Sequence, residues 1–128
     1  MSKEKFSFKR RLKSFVYAYQ GFIFLLKYEH NTRIHLLVAV CTIVAGFLFK
    51  ITKLEWIAVT FAIGLVFAAE IINTSIEHLA DTVTSKTNKK IKIVKDLASA
   101  AVLIAAITAA IVGLIVFIPY LAFLANPE

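Results

Sequence analysis

Five polar residues that could bind a metal ion or move a proton lie within one twelve-residue segment: Glu70, Asn73, Thr74, Glu77 and Asp81. At 100° per residue, a helix would place all five within about 100° of one another, as a single polar stripe. The fourteen residues before Glu70 are uncharged, so the stripe ends a hydrophobic segment. Because a charged group at bilayer depth costs about 3 kcal/mol even on permissive scales, such residues usually mark a functional site.

Two further polar clusters flank the other apolar segments of the chain. Glu29 and Arg33 precede the first apolar segment, and Lys95 and Asp96 open the last. Carboxylates can bind a divalent cation through oxygen, and a lysine can neutralise phosphate oxygens. A carboxylate with little water around it also has a raised proton affinity, which suits a general base acting on a hydroxyl. A metal, a cation and a base are the components of phosphoryl transfer.

Other well-known catalytic patterns are absent from the sequence. The four glycines are too scattered for a glycine-rich phosphate loop, so a nucleotide would be held by side chains and metal. The histidines form no zinc-binding motif, and we interpret all three as packing or interface residues: His30, His35 and His78. Cys41 is the only cysteine, so the chain forms no internal disulfide.

The composition indicates an integral membrane protein. Of the 128 residues, 59% are hydrophobic and only 18% are charged, which excludes a disordered chain and fits a soluble domain poorly. The net charge of +7 comes from basic residues that flank apolar segments and form no nucleic-acid motif. We therefore expect attraction to anionic lipid headgroups and no nucleic-acid partner.

The hydrophobic pattern predicts an all-α membrane protein with one domain spanning residues 1–128. Residues 7–28 have the pattern of an amphipathic helix lying in the membrane interface. Transmembrane spans are expected at 32–50, 54–81 and 92–123, the last broken late by Pro119. A ridge of small residues in the third span predicts close approach of another helix: Ala101, Ala105, Ala109 and Gly113.

The distribution of lysine and arginine predicts the orientation of the chain. Eight precede the first uncharged run (34–49), beginning with Lys3 and Lys5, and two lie between it and the second apolar run. Five lie between the second and the third apolar run (97–124), and none follow the third. Since cytoplasmic loops are enriched in basic residues, we expect a cytoplasmic N-terminus and an external C-terminus. This orientation would place all three polar clusters near the cytoplasmic face, within reach of a soluble phosphate donor.

The combined motifs resemble those of the small prokaryotic diacylglycerol kinase family, which includes the undecaprenol kinases. The resemblance covers nearly the whole chain and is carried by Glu70-x-x-Asn73-Thr74-Ser75-Ile76-Glu77-x-x-x-Asp81, Lys95-Asp96-x-Ala98-Ser99-Ala100-Ala101-Val102 and Glu29-x-Asn31-x-Arg33-x-His35. It implies ATP-dependent phosphorylation of a lipid hydroxyl at the bacterial inner membrane. It also implies a homotrimer whose active sites are shared between neighbouring subunits.

The resemblance also implies roles for individual residues. Glu70 would be the general base, and Glu29 and Glu77 would hold the Mg²⁺ of the nucleotide. The remaining residues would contact the nucleotide or shape and support the site: Lys95 at the phosphates, Asp96 and Arg10 at the nucleotide, Asn73 at the reacting centre and Asp81 in support.

Two segments bear on specificity. Many relatives carry a Glu and a His where this chain has Lys86 and Asn88, so contacts to the nucleotide base are expected to differ. The segment Tyr17-Ala-Tyr-Gln-Gly21 is more similar to the undecaprenol kinase branch, which favours undecaprenol as substrate over diacylglycerol.

Two other hypotheses explain part of the pattern. A small proton-coupled transporter would use a membrane glutamate such as Glu70, but would leave the residues at the cytoplasmic face without a role. A structural subunit would use the polar groups to join helices. Such hydrogen bonds average only about 0.6 kcal/mol, which is too little stabilisation to explain so many carboxylates in the membrane.

Overall fold

The computed structural model describes residues 6–84 and 86–128, which form four helices: α1 (Phe8–Tyr28), α2 (His30–Phe49), α3 (Lys53–Val83) and α4 (Lys89–Ala125). The last three are long and apolar enough to cross a membrane. The predicted fold class, an all-helical membrane protein with three spans after an N-terminal helix, is therefore confirmed. Lys3 and Lys5 of the N-terminal basic cluster lie outside the described residues.

Helix α3 occupies the centre of the arrangement and contacts each of the other helices. The C-terminal half of α1 reaches it through aromatic contacts, with 5.8 Å between the ring centres of Phe22 and Phe67 and 5.4 Å between those of Phe24 and His78. The first half of α1 is largely exposed, as are many large apolar side chains on the outer faces of α2 and α4. Those outer faces suit contact with lipid.

Small residues of α4 allow close packing only over part of the expected ridge. Ala98 and Ala105 are buried, whereas Ala101 is exposed. A side chain added at Gly113 would meet no atom within 4 Å. Of the expected ridge, Ala105 is thus buried, two helical turns after the buried Ala98, and open space lies beside Gly113.

A tight turn reverses the chain between α2 and α3. Lys50 adopts the left-handed conformation, with φ 52°, and the amide of Ile51 donates to the carbonyl oxygen of Gly46 at 3.1 Å. Thr52 and Glu55 then cap α3 reciprocally: the amide of each donates to the side-chain oxygen of the other, at 2.7 Å and 3.3 Å. These local bonds align α2 and α3 as antiparallel neighbours.

The end of α4 is attached to this turn. Tyr120 donates its hydroxyl hydrogen to Glu55 at 2.6 Å and stacks on Phe49, with 5.7 Å between ring centres. Helix α4 runs unbroken through Pro119, so the expected break at this residue was wrong. A proline deprives one carbonyl of its helical partner, yet spanning helices tolerate it where neighbouring groups compensate.

Gly46→Ala is expected to lower the free energy of unfolding by about 1–3 kcal/mol, the usual cost of overpacking. A Cβ atom there would lie 2.7 Å from the Trp56 ring and 3.1 Å from Ile51. Thermal unfolding in detergent measures the effect. Gly64→Ala is the matched control, because nothing lies within 4 Å of its added carbon. Equal stability of the two variants would contradict this account of the turn.

Candidate active site

The polar stripe of α3 runs from a buried end to an exposed end. Glu70 is only 3% exposed and Thr74 5%. Asn73 and Glu77 are half-buried, and Asp81 at the loop end is exposed. The stripe thus leads from the interior of the helical bundle to the loop that joins α3 and α4.

Helix α2 supplies a second row of polar groups opposite the stripe. His35 Nε2 lies 3.0 Å from Glu70 Oε1, and Thr32 is completely buried. Because α2 and α3 are antiparallel, residues that precede His35 lie level with residues that follow Glu70. At 1.5 Å per residue, this register places Thr32 at the level of Asn73 and Glu29 at the level of Glu77.

Several buried polar atoms in this region have no hydrogen-bond partner within the described part of the chain. They are Thr32 Oγ1, Asn73 Oδ1, Thr74 Oγ1 and Glu70 Oε1, the last lying near His35 without hydrogen-bond alignment. An unpaired buried polar group costs roughly 1–3 kcal/mol. A cluster of such groups does not stabilise the fold, but it can form hydrogen bonds with a polar ligand or with water.

The loop end of the site carries basic residues in a polar groove. Lys95 of α4 forms an ion pair with Asp81 of α3, and Lys92 pairs with Asp96 at 2.5 Å. Asn88 caps α4 by accepting from the amides of Lys90 and Ile91. The groove has a volume of about 470 Å³ and is lined by Asp81, Thr84, Lys86, Thr87, Asn88, Ile91, Lys92 and Lys95.

Glu29 lies at the junction of α1 and α2, where it ends one helix and begins the next. Arg33 stabilises this junction by donating to the carbonyl oxygens of Leu26, at 2.8 Å, and Lys27. Arg10 lies near the other end of α1, roughly 27 Å from Tyr28 by helical rise. The structure joins two of the predicted site residues directly, Asp81 and Lys95, and places Glu70 against α2 through His35.

The donor set at the level of Glu29 and Glu77 fits Mg²⁺. Both side chains are half-buried carboxylates, the oxygen ligands this ion prefers. In phosphoryl-transfer sites, Mg²⁺ is commonly held by one or two carboxylates together with phosphate oxygens and water. Among the described residues, no group of three or more acidic, histidine or cysteine residues forms a complete metal site. These two carboxylates would thus hold a metal ion that arrives with phosphates.

Two residues of this region escaped the sequence analysis. From sequence, His35 is predicted to be a packing or interface residue, and Thr32 is not among the predicted site residues. Both follow Glu29 at intervals of three residues, a spacing that puts all three on one face of a helix. This helical spacing from Glu29 is the sequence feature that could have identified Thr32 and His35.

An apolar cavity lies next to the buried end of the site. It has a volume of about 360 Å³ and is bounded by α2, α3 and α4, with His35 as the lining residue that also contacts Glu70. Its other walls are almost entirely apolar, including Val38, Ile63 and Ala109. The buried carboxylate thus sits where a polar site meets a hydrophobic space.

These features define a class of protein with three membrane spans, a buried carboxylate and, about three turns further along the same helix, a basic groove. The chain matches the family described as prokaryotic diacylglycerol kinase over residues 16–117, and it belongs to that family. It is 37% identical over 112 residues to the undecaprenol kinase of Bacillus subtilis, covering 88% of this chain and 91% of that one. It is 36% identical over 109 residues to a diacylglycerol kinase of Synechocystis, covering 84% of this chain and 62% of that longer one.

These similarities confirm the lipid kinase hypothesis at the level of the family and identify the chain as an enzyme. The transporter and structural hypotheses receive no such support. The roles of individual residues, the nucleotide and the metal remain predictions.

Proposed function

We propose that this protein transfers the γ-phosphate of ATP to the hydroxyl group of a membrane lipid, with undecaprenol favoured over diacylglycerol. The observation that carries the proposal is the position of Glu70, a carboxylate only 3% exposed between a polar cluster and an apolar cavity. In this proposal, the hydroxyl of the lipid reaches Glu70 from the apolar cavity that His35 borders. Exclusion of bulk water there would favour the lipid as the phosphate acceptor.

In the proposed reaction, Glu70 accepts the proton from the lipid hydroxyl. The lipid oxygen forms a bond to the γ-phosphorus, and the bond from that phosphorus to its bridging oxygen breaks, so that ADP leaves with the electron pair. Lys95, oriented by Asp81, contacts the phosphates, Asp96 contacts the nucleotide, and Asn73 shapes the reacting centre. Glu29 and Glu77 would hold Mg²⁺, which when bound neutralises charge on the phosphates.

The preference for undecaprenol has specific support. The Bacillus relative carries that name and is covered over 91% of its length, compared with 62% for the relative named as a diacylglycerol kinase. The sequence identities to these two relatives, 37% and 36%, are too similar to favour either substrate. The segment Tyr17–Gly21 supplies the additional argument.

We place the enzyme in the bacterial cytoplasmic membrane, with its N-terminus inside, its C-terminus outside and three subunits assembled as a homotrimer. The distribution of basic residues supports the orientation. A site shared between subunits is compatible with the distance between Arg10 and Glu29, because Arg10 could then serve the site of a neighbour.

The test supplies the purified, lipid-reconstituted protein with labelled ATP and either undecaprenol or diacylglycerol. We expect Mg²⁺-dependent labelling of both lipids, with the greater rate for undecaprenol. Equal rates would remove the substrate preference. The absence of any labelled lipid would overturn the proposed function, provided that the protein is folded.

A further inference from the structure

We infer that the hydroxyl groups of Thr32 and Thr74 donate hydrogen bonds to the phosphoryl group that is transferred, an assignment that rests on the proposed function and adds two substrate-binding residues to it. Both side chains are buried: Thr32 is 0% exposed and Thr74 5%. Among the described residues, neither hydroxyl oxygen has a hydrogen-bond partner. A buried hydroxyl without a partner has lost its bonds to water and gained none in the protein, so its presence requires an explanation.

The hydroxyl of Thr74 is unpaired although its own helix offers a partner. A serine or threonine within a helix can donate to the carbonyl oxygen four residues earlier. Thr74 lacks this bond to Glu70, whereas Ser75 and Thr82 of the same helix form the equivalent bond. Six hydroxyls of the described helices do so: those of Ser14, Thr42, Thr60, Ser75, Thr82 and Thr108. The unpaired state of Thr74 is therefore not a general property of hydroxyls in these helices.

Thr32 lies in the first turn of α2, where its own helix offers no such carbonyl. The chain is extended at Glu29, with φ −100° and ψ 113°, so the residue four positions before Thr32 belongs to α1. His35 follows three residues later on the same side of α2 and contacts Glu70 of α3 at 3.0 Å. Thr32 is therefore buried on the side of α2 that meets α3.

The two threonines lie at the level that the proposed reaction requires. The phosphorus must approach the lipid oxygen at Glu70, while its oxygens approach the carboxylates proposed to hold Mg²⁺. Along α3, Thr74 lies about 6 Å beyond Glu70 and about 4.5 Å before Glu77, on the same polar stripe. Thr32 of α2 lies at the level of Asn73. Donors fixed at this level would stabilise negative charge on the phosphoryl oxygens, because hydrogen bonds to ionised acceptors are the stronger ones.

The protein covers both hydroxyl oxygens in this structure, so the phosphoryl group reaches them when α2 moves away from α3 at this level. Helix α2 packs on α3 much less extensively than α4 does. The apolar cavity of about 360 Å³ also lies between α2 and the other two spans. Separation of α2 therefore leaves the α3–α4 pair intact. The unpaired hydroxyls raise the free energy of the closed arrangement, and bonds to the phosphoryl group compensate in the open one.

The first test measures nucleotide binding to the full-length, lipid-reconstituted protein in the presence of Mg²⁺. It compares ADP with the non-hydrolysable ATP analogue that has an imido group between its β and γ phosphorus atoms. Valine has the shape of threonine without the hydroxyl. In Thr74→Val and in Thr32→Val we expect the dissociation constant of the analogue to rise about tenfold or more. That of ADP should stay within about twofold, because ADP has no γ-phosphate.

Two further variants serve as controls for this measurement. Thr74→Ser keeps the hydroxyl and should bind the analogue within about threefold of wild type. Thr82→Val makes the same change at an exposed position of α3 whose hydroxyl already donates to the carbonyl oxygen of His78, at 2.9 Å. It should leave the binding of both nucleotides unchanged.

The second test measures thermal unfolding without nucleotide. Replacing an unpaired buried hydroxyl by a methyl group of the same shape removes a cost of folding. Thr74→Val and Thr32→Val should therefore unfold at the wild-type temperature or higher. A hydroxyl with a structural role would give the opposite result, a lower unfolding temperature.

Several outcomes would overturn the assignment. A lower unfolding temperature in both valine variants, or equal losses of ADP and analogue binding, would show a structural role. Wild-type affinity for the analogue in either variant would remove that threonine from the site. Lipid phosphorylation by the wild type is measured in parallel. If the wild type is active and both valine variants bind the analogue normally, the role of the hydroxyls alone is refuted. If the wild type neither binds the analogue nor labels lipid, the proposed function is refuted as well.

Discussion

Glu70→Gln is expected to reduce phosphoryl transfer to lipid at least about a hundredfold while leaving the chain folded in the membrane. The amide matches the carboxylate in size and fills the same buried position, but it cannot accept the proton of the lipid hydroxyl. The loss should appear in kcat at saturating ATP and lipid. Initial rates measured after reconstitution, together with the unfolding temperature in detergent, separate catalysis from stability.

Glu55→Gln provides the matched control for this substitution. Glu55 is a half-buried glutamate at the opposite end of α3, where it accepts a hydrogen bond from Tyr120 at 2.6 Å. This variant should lose some stability and keep a rate close to wild type. Near-normal turnover in Glu70→Gln would refute the role of Glu70 as general base.

Glu29→Gln and Glu77→Gln are each expected to raise the Mg²⁺ concentration needed for half-maximal rate by at least about tenfold. Each substitution removes one anionic oxygen ligand of a site that the protein supplies with only a few. The double variant should deviate from the sum of the two effects, because residues that share one ligand are energetically coupled. Rates measured across a Mg²⁺ titration, at saturating ATP and lipid, test the prediction.

The same titration on Glu55→Gln should reproduce the wild-type curve, since that residue lies at the other end of the bundle. Superimposable curves for wild type, Glu29→Gln and Glu77→Gln would show that these carboxylates do not hold the metal. In that case the alignment of Glu29 with Glu77 would be a result of helix packing and not of metal binding.

The α3 side of the site could be predicted because a helix has a fixed period. The spacing of Glu70, Asn73, Thr74 and Glu77 puts them on one face whatever packs against it, and the structure buries or half-buries all four. Spans could be predicted in the same way, because apolar length depends only on local sequence.

Features that depend on how helices meet were harder to predict. The contact of His35 with Glu70 depends on the register between α2 and α3, which the left-handed residue Lys50 and the capped turn determine. The small-residue ridge likewise showed where α4 could pack closely, but the path of α4 decided that Ala105 is buried and Gly113 is not. Pro119 was misjudged because a local rule about helix breaking neglects compensation by the surrounding protein and membrane.

The two hydrogen bonds that Arg33 donates to the end of α1 have a mechanical consequence. They stiffen the junction between α1 and α2, because a change in the angle between the two helices would break charge-assisted hydrogen bonds. If α1 tilts, we expect the first turn of α2 to tilt with it and Glu29, which lies between the two helices, to move as well. Helix α1 is thereby coupled to the wall of the candidate site that α2 forms, so we expect a change in the tilt of α1 to alter the position of Glu29 relative to α3.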